Sequence, residues 1–171
     1  MPQFSKATLD DIPALNKLIN SAYRGETAKQ GWTHESDLLT GIRINEEGLT
    51  ELINNPGAVI IKYTDDAKLL ACVLLERQDD SLYLGMLTVD PSLQEKGIGK
   101  LLLQEAEQEA RKQGIQKIKM TVISVREELI SFYKRRGYVD TGIKKPFPTE
   151  EAFGTPLQQL EFIVMEKIIK D

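Results

Sequence analysis

Three apolar runs, residues 58–63, 69–77 and 82–89, follow one another with only the acidic turns Asp65-Asp66 and Asp79-Asp80 between them. Runs of strand length joined by turns this short predict an antiparallel meander. Helical spacing takes over on either side. Upstream, the capping pair Thr8 and Asp11 precedes Ile12, Leu15, Ile19 and Tyr23, which recur on one helix face. A second helix is expected over 46–53, stopped by Asn54, Asn55 and Pro56. Downstream, Ile98, Leu101, Leu102, Ala106 and Ala110 form an apolar stripe, Lys100, Gln104, Glu105, Gln108 and Arg111 face outward, and Gly114 ends the helix. Strands at 3–7, 117–123, 138–143 and 160–169 and a helix through Tyr133 complete the order β-α-α-β-β-β-α-β-α-β-β. Residues 24–45 are polar and turn-rich, with a short helix expected near 35–40.

At 171 residues and 41% hydrophobic side chains, the chain reads as a single domain over 1–171 with a substantial core. It shows no internal repeat, no apolar run long enough to span a bilayer, and no charged segment leading into an apolar signal. A cytoplasmic protein without a membrane partner is expected. The net charge of -4 lacks the basic footprint that nucleic-acid binding uses. The single cysteine, Cys72, excludes an internal disulfide and lies in an apolar run, where a small core residue is the expected role. The single histidine, His34, lies elsewhere, so the pair supplies neither an activated thiol nor a structural zinc site, and no metal is expected.

Chemistry concentrates after the third strand. Val89-Asp90-Pro91 leads into Gln94, Glu95, Lys96, Gly97, Ile98, Gly99 and Lys100, a glycine turn that opens a helix. Glycines let the backbone approach a ligand, and the first helical amides, with the positive end of the dipole, form an anion site. A Walker A loop would need glycine where Gln94 stands and Ser or Thr at Leu101. The dinucleotide fingerprint would need a small residue at Leu102 and an acidic residue closing the next strand. Neither condition is met.

A second segment lies one strand downstream. Ser124 and Glu127 have capping-box spacing and start a helix at Val125; it carries Phe132-Tyr133 near its end and closes at Gly137-Tyr138. Arg126, Ile130 and Tyr133 share one face. The glycine loop and this strand-helix segment together resemble the two coenzyme A motifs of the GNAT superfamily of N-acetyltransferases. The resemblance extends over nearly the whole chain, with its specific motifs confined to 87–138.

It implies an α+β fold of three layers, with a mixed, mostly antiparallel sheet of about seven strands flanked by helices, the acyl-CoA N-acyltransferase fold. It also implies acetyl-CoA as co-substrate, a primary amine of a small molecule as acceptor, with a peptide amine as the alternative, and direct transfer in a ternary complex. A homodimer is compatible with this reading. In such enzymes the strand before the loop parts from its neighbour, and here Leu87, Thr88 and Val89 would face the pantetheine arm while 94–100 takes the pyrophosphate. Tyr133 would then donate a proton to the departing thiolate. Arg126 stands where many members have asparagine; it could pair with phosphate oxygens, meet an acidic part of the acceptor, or cover the helix face. Glu76 is the candidate base, and an exposed carboxylate at a strand end is the alternative. Lys134, Arg135 and Arg136 complement a helix C-terminus, with a phosphate contact as the other role.

The acceptor pocket is expected from 24–45 and 144–159. Trp32 and Glu35 are its candidate residues, and Pro146, Phe147, Pro148 and Phe153 could wall the other side. The competing class is a non-catalytic acyl-CoA sensor or interaction module, which would keep the glycine loop and be indifferent to loss of Tyr133.

Overall fold

The computed structural model describes residues 2–23, 39–40, 44–93, 97–146, 155–156 and 161–169. In chain order they form β1 (Gln3–Lys6), α1 (Ile12–Tyr23), β2 (Leu39–Thr40), α2 (Glu46–Asn54), β3 (Ala58–Asp65), β4 (Lys68–Gln78) and β5 (Ser81–Val89). These are followed by α3 (Ile98–Lys112), β6 (Lys117–Ile123), α4 (Glu127–Arg135), β7 (Val139–Pro146), β8 (Thr155–Pro156) and β9 (Glu161–Ile168). Seven strands make one sheet in the order β1-β3-β4-β5-β6-β9-β7, and β2 pairs with β8 separately. Every pairing in the large sheet is antiparallel except β5 with β6.

Both faces of this sheet are covered, which explains why its central strands read as continuous apolar runs. Along β4, Ala71, Val73 and Leu75 join one core with Leu102, Leu103 and Ala106 of α3 and Phe132 and Tyr133 of α4. Cys72 and Leu74 point the other way, into a core with Leu15, Ile19 and Leu49 from α1 and α2. The result is the three-layer α+β architecture expected from the sequence.

Local chemistry sets the boundaries. Thr8 and Asp11 form a reciprocal capping box around a single 3-10 turn, Leu9–Asp11, that feeds α1. Asp11 also holds Lys62 of β3 at 2.9 Å. Asn45 caps α2 by accepting the Gly48 amide at 2.8 Å. The hairpins turn on two residues each. Asp66 and Ala67 both have positive φ, 51° and 66°, the twist that suits adjoining strands, so the first turn lies one residue later than Asp65-Asp66. Asp79 and Asp80 make the second, as expected.

Three expectations are corrected. Leu101 is 41% exposed and Leu103, at 2%, takes its place in the α3 stripe, because the face laid on the sheet is centred on Leu102 and Ala106. Helix α4 begins at Glu127, not Val125, because the Ser124 amide donates to Glu161 O and prolongs the sheet pairing past Ile123. Residues 39 and 40, expected at the end of a short helix, are strand β2; residues 35–38 lie outside the described residues.

Candidate active site

The site begins with a defect in β5. Between the pairs Leu74↔Gly85 and Cys72↔Thr88, β5 spends one residue more than β4, and Met86 takes a φ of 49°. This is a β-bulge, which bends its strand. Thr88, 1% exposed, pins the bulge by donating its hydroxyl to Met86 O at 2.7 Å. On the other side, β5 pairs with β6 only at Leu82↔Ile118 and Tyr83↔Lys119. Beyond Tyr83 the two parallel strands part, and Leu87, Thr88 and Val89 lie on the parted stretch of β5.

The chain leaves β5 through Asp90, whose carboxylate accepts the Ser92 amide at 3.0 Å and the Ser92 hydroxyl at 2.8 Å. Gly97 then caps α3 with φ 82°, a conformation that disfavours any side chain, and a Cβ there would meet nothing within 4 Å. The amides of Ile98, Gly99 and Lys100 open the helix without intrahelical partners, as the first turn of any α-helix does. Gly99 is glycine for a different reason: a Cβ would lie 3.3 Å from the Phe132 ring of α4. That ring carries the Arg136 guanidinium 3.9 Å above its centroid. Ile98 is buried and Lys100 exposed. Gln94, Glu95 and Lys96 lie outside the described residues.

On α4, Tyr133 is 5% exposed and meets Phe132 and Tyr138 edge-on at centroid distances of 5.3 and 5.8 Å. Arg126 is 3% exposed at the N-cap position, its Nε donating to Glu128 at 3.2 Å. A cation at a helix N-terminus opposes the dipole, and the adjoining Glu127 and Glu128 offset it. Burial presses the Arg136 guanidinium below its ordinary value, with Arg135 adding repulsion. Burial likewise raises the Tyr138 phenol, and the nearby Glu107 charge adds to the shift. The Cys72 thiol is pushed up to about 12 by burial, despite a hydrogen bond with Thr88, which leaves a protonated core residue.

The opposite face of the sheet carries a polar set. Glu76 and Tyr83 are register partners on β4 and β5. The Glu76 carboxylate receives Asn55 at 3.2 Å and Gln78 at 3.1 Å. Tyr83 reaches the other way, its hydroxyl 3.3 Å from Thr121 of β6. Tyr83, Thr121, Gly85 and Met86 gather where the strands part, and the motifs read from the sequence include none of them. A glycine inside a strand was the available signal, since it marks bulges and close approaches. Trp32 and Glu35 lie outside the described residues. The two segments expected to wall the acceptor pocket are nevertheless joined, because Leu39 and Thr40 pair with Pro156 and Thr155. Asn20 of α1 ties down the end of the first segment, donating to Ile44 O at 2.8 Å and accepting the Ile44 amide at 3.2 Å.

Among the described residues, no three His, Cys, Asp or Glu side chains gather as a metal site would require, and no helix is long and apolar enough to cross a membrane. A seven-stranded mixed sheet that opens at its one parallel pair, beside a glycine-started helix, defines the acyl-CoA N-acyltransferase fold. Residues 32–150 match the family model of the acetyltransferase (GNAT) domain, and the chain belongs to that family. It is similar to the uncharacterized protein YdhI of Bacillus subtilis strain 168, 32% identical over 114 residues. That match covers 65% of this chain and 62% of YdhI, less than two thirds of the relative's length. In fold it resembles the ribosomal-protein-S18-alanine N-acetyltransferase of Escherichia coli, with TM-score 0.74, 18% identity and coverage of 100% and 96% of the two chains. It also resembles the PaiA N-acetyltransferase of Thermoplasma acidophilum, solved with coenzyme A, with TM-score 0.69, 22% identity and coverage of 98% and 99%.

Proposed function

We propose that this protein is an acetyl-CoA-dependent N-acetyltransferase that acetylates a primary amine of a small molecule by direct transfer in a ternary complex. The observation that carries this is the parting of β5 and β6 immediately beside the Gly97-capped start of α3. A parted parallel pair offers backbone groups to an extended arm, and the helix start offers amides to the phosphates at its far end. Acetyl-CoA, when bound, supplies the acetyl group as a thioester. The remaining chemistry falls to the chain. Leu87, Thr88 and Val89 line the arm, Gln94 to Lys100 hold the pyrophosphate, and Arg126 contributes a buried positive charge at the start of α4. Transfer forms a carbon–nitrogen bond and breaks the carbon–sulfur bond. The amine nitrogen loses a proton to Glu76 or to water through it, and the departing thiolate gains one from Tyr133. Trp32 and Glu35 gather the amine.

Two measurements test this. At a hundredfold excess over its dissociation constant, acetyl-CoA should stabilise the protein by about 2.7 kcal/mol, and Gly99→Val should abolish the shift by driving a side chain against Phe132. Release of free thiol should then be followed over a panel comprising n-butylamine, 1,4-diaminobutane and an alanine-initiated tripeptide. The peptide is included because a structural neighbour is named for an alanine acceptor. Absence of a melting shift overturns the cofactor assignment. A shift without thiol release from any amine favours the acyl-CoA sensor instead.

A further inference from the structure

We propose that the paired hydroxyls of Tyr83 and Thr121 form the subsite that receives the attacking nitrogen of the acceptor amine. This rests on the acetyltransferase reading above and assigns its acceptor side. Tyr83 is the last residue of β5 paired with β6, and Thr121 stands two residues beyond its partner Lys119. Their hydroxyls, 3.3 Å apart, therefore meet across the parting strands just past their last pair. The sheet face is defined by its neighbours. Leu82 and Leu84 flank Tyr83 and face the α3 core, as do Met120 and Val122 around Thr121, so both hydroxyls lie on the α1 and α2 side. Tyr133 belongs to the α3 core, so the incoming nitrogen and the departing sulfur are served from opposite faces of the gap.

Gly85 makes the arrangement feasible. A Cβ at that position would lie 2.9 Å from Cε2 of Tyr83, so the ring leans along its own strand toward the bulge, over the only residue type that leaves it room. The hydroxyl is thereby carried toward the stretch where β5 leaves β6. A hydroxyl suits this place because it both donates and accepts. Whichever member of the pair donates to the other, lone pairs remain to accept an amine N–H, which leaves the nitrogen lone pair to meet the thioester carbon. The pair holds and orients the nitrogen, and the proton leaves by the route already assigned through Glu76, the register partner of Tyr83.

Steady-state kinetics with the most active amine of the panel tests this. Tyr83→Phe keeps the ring and should raise KM for the amine about tenfold, the scale of one lost hydrogen bond, with KM for acetyl-CoA unchanged. Thr121→Val should act in the same direction, Thr121→Ser should restore wild-type values, and the double variant should be no worse than Tyr83→Phe alone. The acetyl-CoA melting shift, retained in each variant, reports folding and cofactor binding. Unchanged amine KM in Tyr83→Phe, additive losses in the double variant, or an equal rise in KM for acetyl-CoA each overturns the subsite. Wild-type protein that shows neither melting shift nor thiol release overturns the parent reading, and this one with it.

Discussion

Two buried tyrosines of α4 and its exit illustrate how position decides a side chain's role. Tyr138 is 1% exposed, and its hydroxyl is enclosed in the core with burial raising its phenol. Tyr133 lies against it and directly follows Phe132, whose ring faces Gly99 at the start of α3. Tyr133→Phe preserves the ring contacts with Phe132 and Tyr138 and removes one hydroxyl. Turnover should fall about 10²-fold, the scale of a lost general acid, while acetyl-CoA affinity stays constant. Single-turnover kinetics separates the chemical step from product release, and an unchanged rate there would leave Tyr133 a packing residue. The two glycines of the loop differ in the same way: Gly97 answers a backbone conformation, whereas Gly99 answers the Phe132 ring.

At the level of elements, the bulge in β5 is the part on which the proposed site depends. Thr88→Val deletes the hydroxyl that pins Met86 O and should cost about 1–3 kcal/mol, since a buried carbonyl loses its partner. Urea denaturation checks this, and a loss below about 0.5 kcal/mol would mean that the bulge holds itself without Thr88. Most elements were legible in the sequence because they rest on local signals: the Thr8 box, the apolar runs, Gly97 and Gly114. The bulge was missed, although Gly85 inside the strand was its available signal, because a methionine at positive φ has no signature of its own in the sequence. Strands β2 and β8 escaped for a related reason, being two residues long and stabilised by each other across more than a hundred positions. The start of α4 was misjudged by two residues because a partner on β9 outweighed a capping signal. Of the proposed site, the glycine loop and Tyr133 were nominated by motifs, whereas Tyr83 and Thr121 meet only through the parallel register of β5 and β6.

At the scale of the whole molecule, a half-buried ion pair, Asp11 with Lys62, links the first layer to the sheet. Burial alone would raise the Asp11 carboxyl, but the Thr8 amide and the Lys62 ammonium outweigh it and hold the group below its ordinary 3.8. A depressed carboxylate adds stability above that value and loses it as pH falls through the lowered one. Thermal melts from pH 6 to 2 should therefore show a shallower acid decline for Asp11→Asn than for the wild type; parallel curves would assign the acid sensitivity elsewhere. The sheet itself is built as two antiparallel blocks, β1-β3-β4-β5 and β6-β9-β7, that touch through two residue pairs. Mechanically this is a seam, bridged on one side by α3. An occupant hydrogen-bonded into the seam acts as a missing strand, so amide exchange along 82–89 and 117–123 should slow on adding acetyl-CoA while β1 and β7 at the outer edges stay unchanged. Uniform slowing would indicate global stabilisation instead. On the proposed reading, each departure of product would reopen the seam, so the molecule would be stiffest while loaded and would loosen once in every cycle.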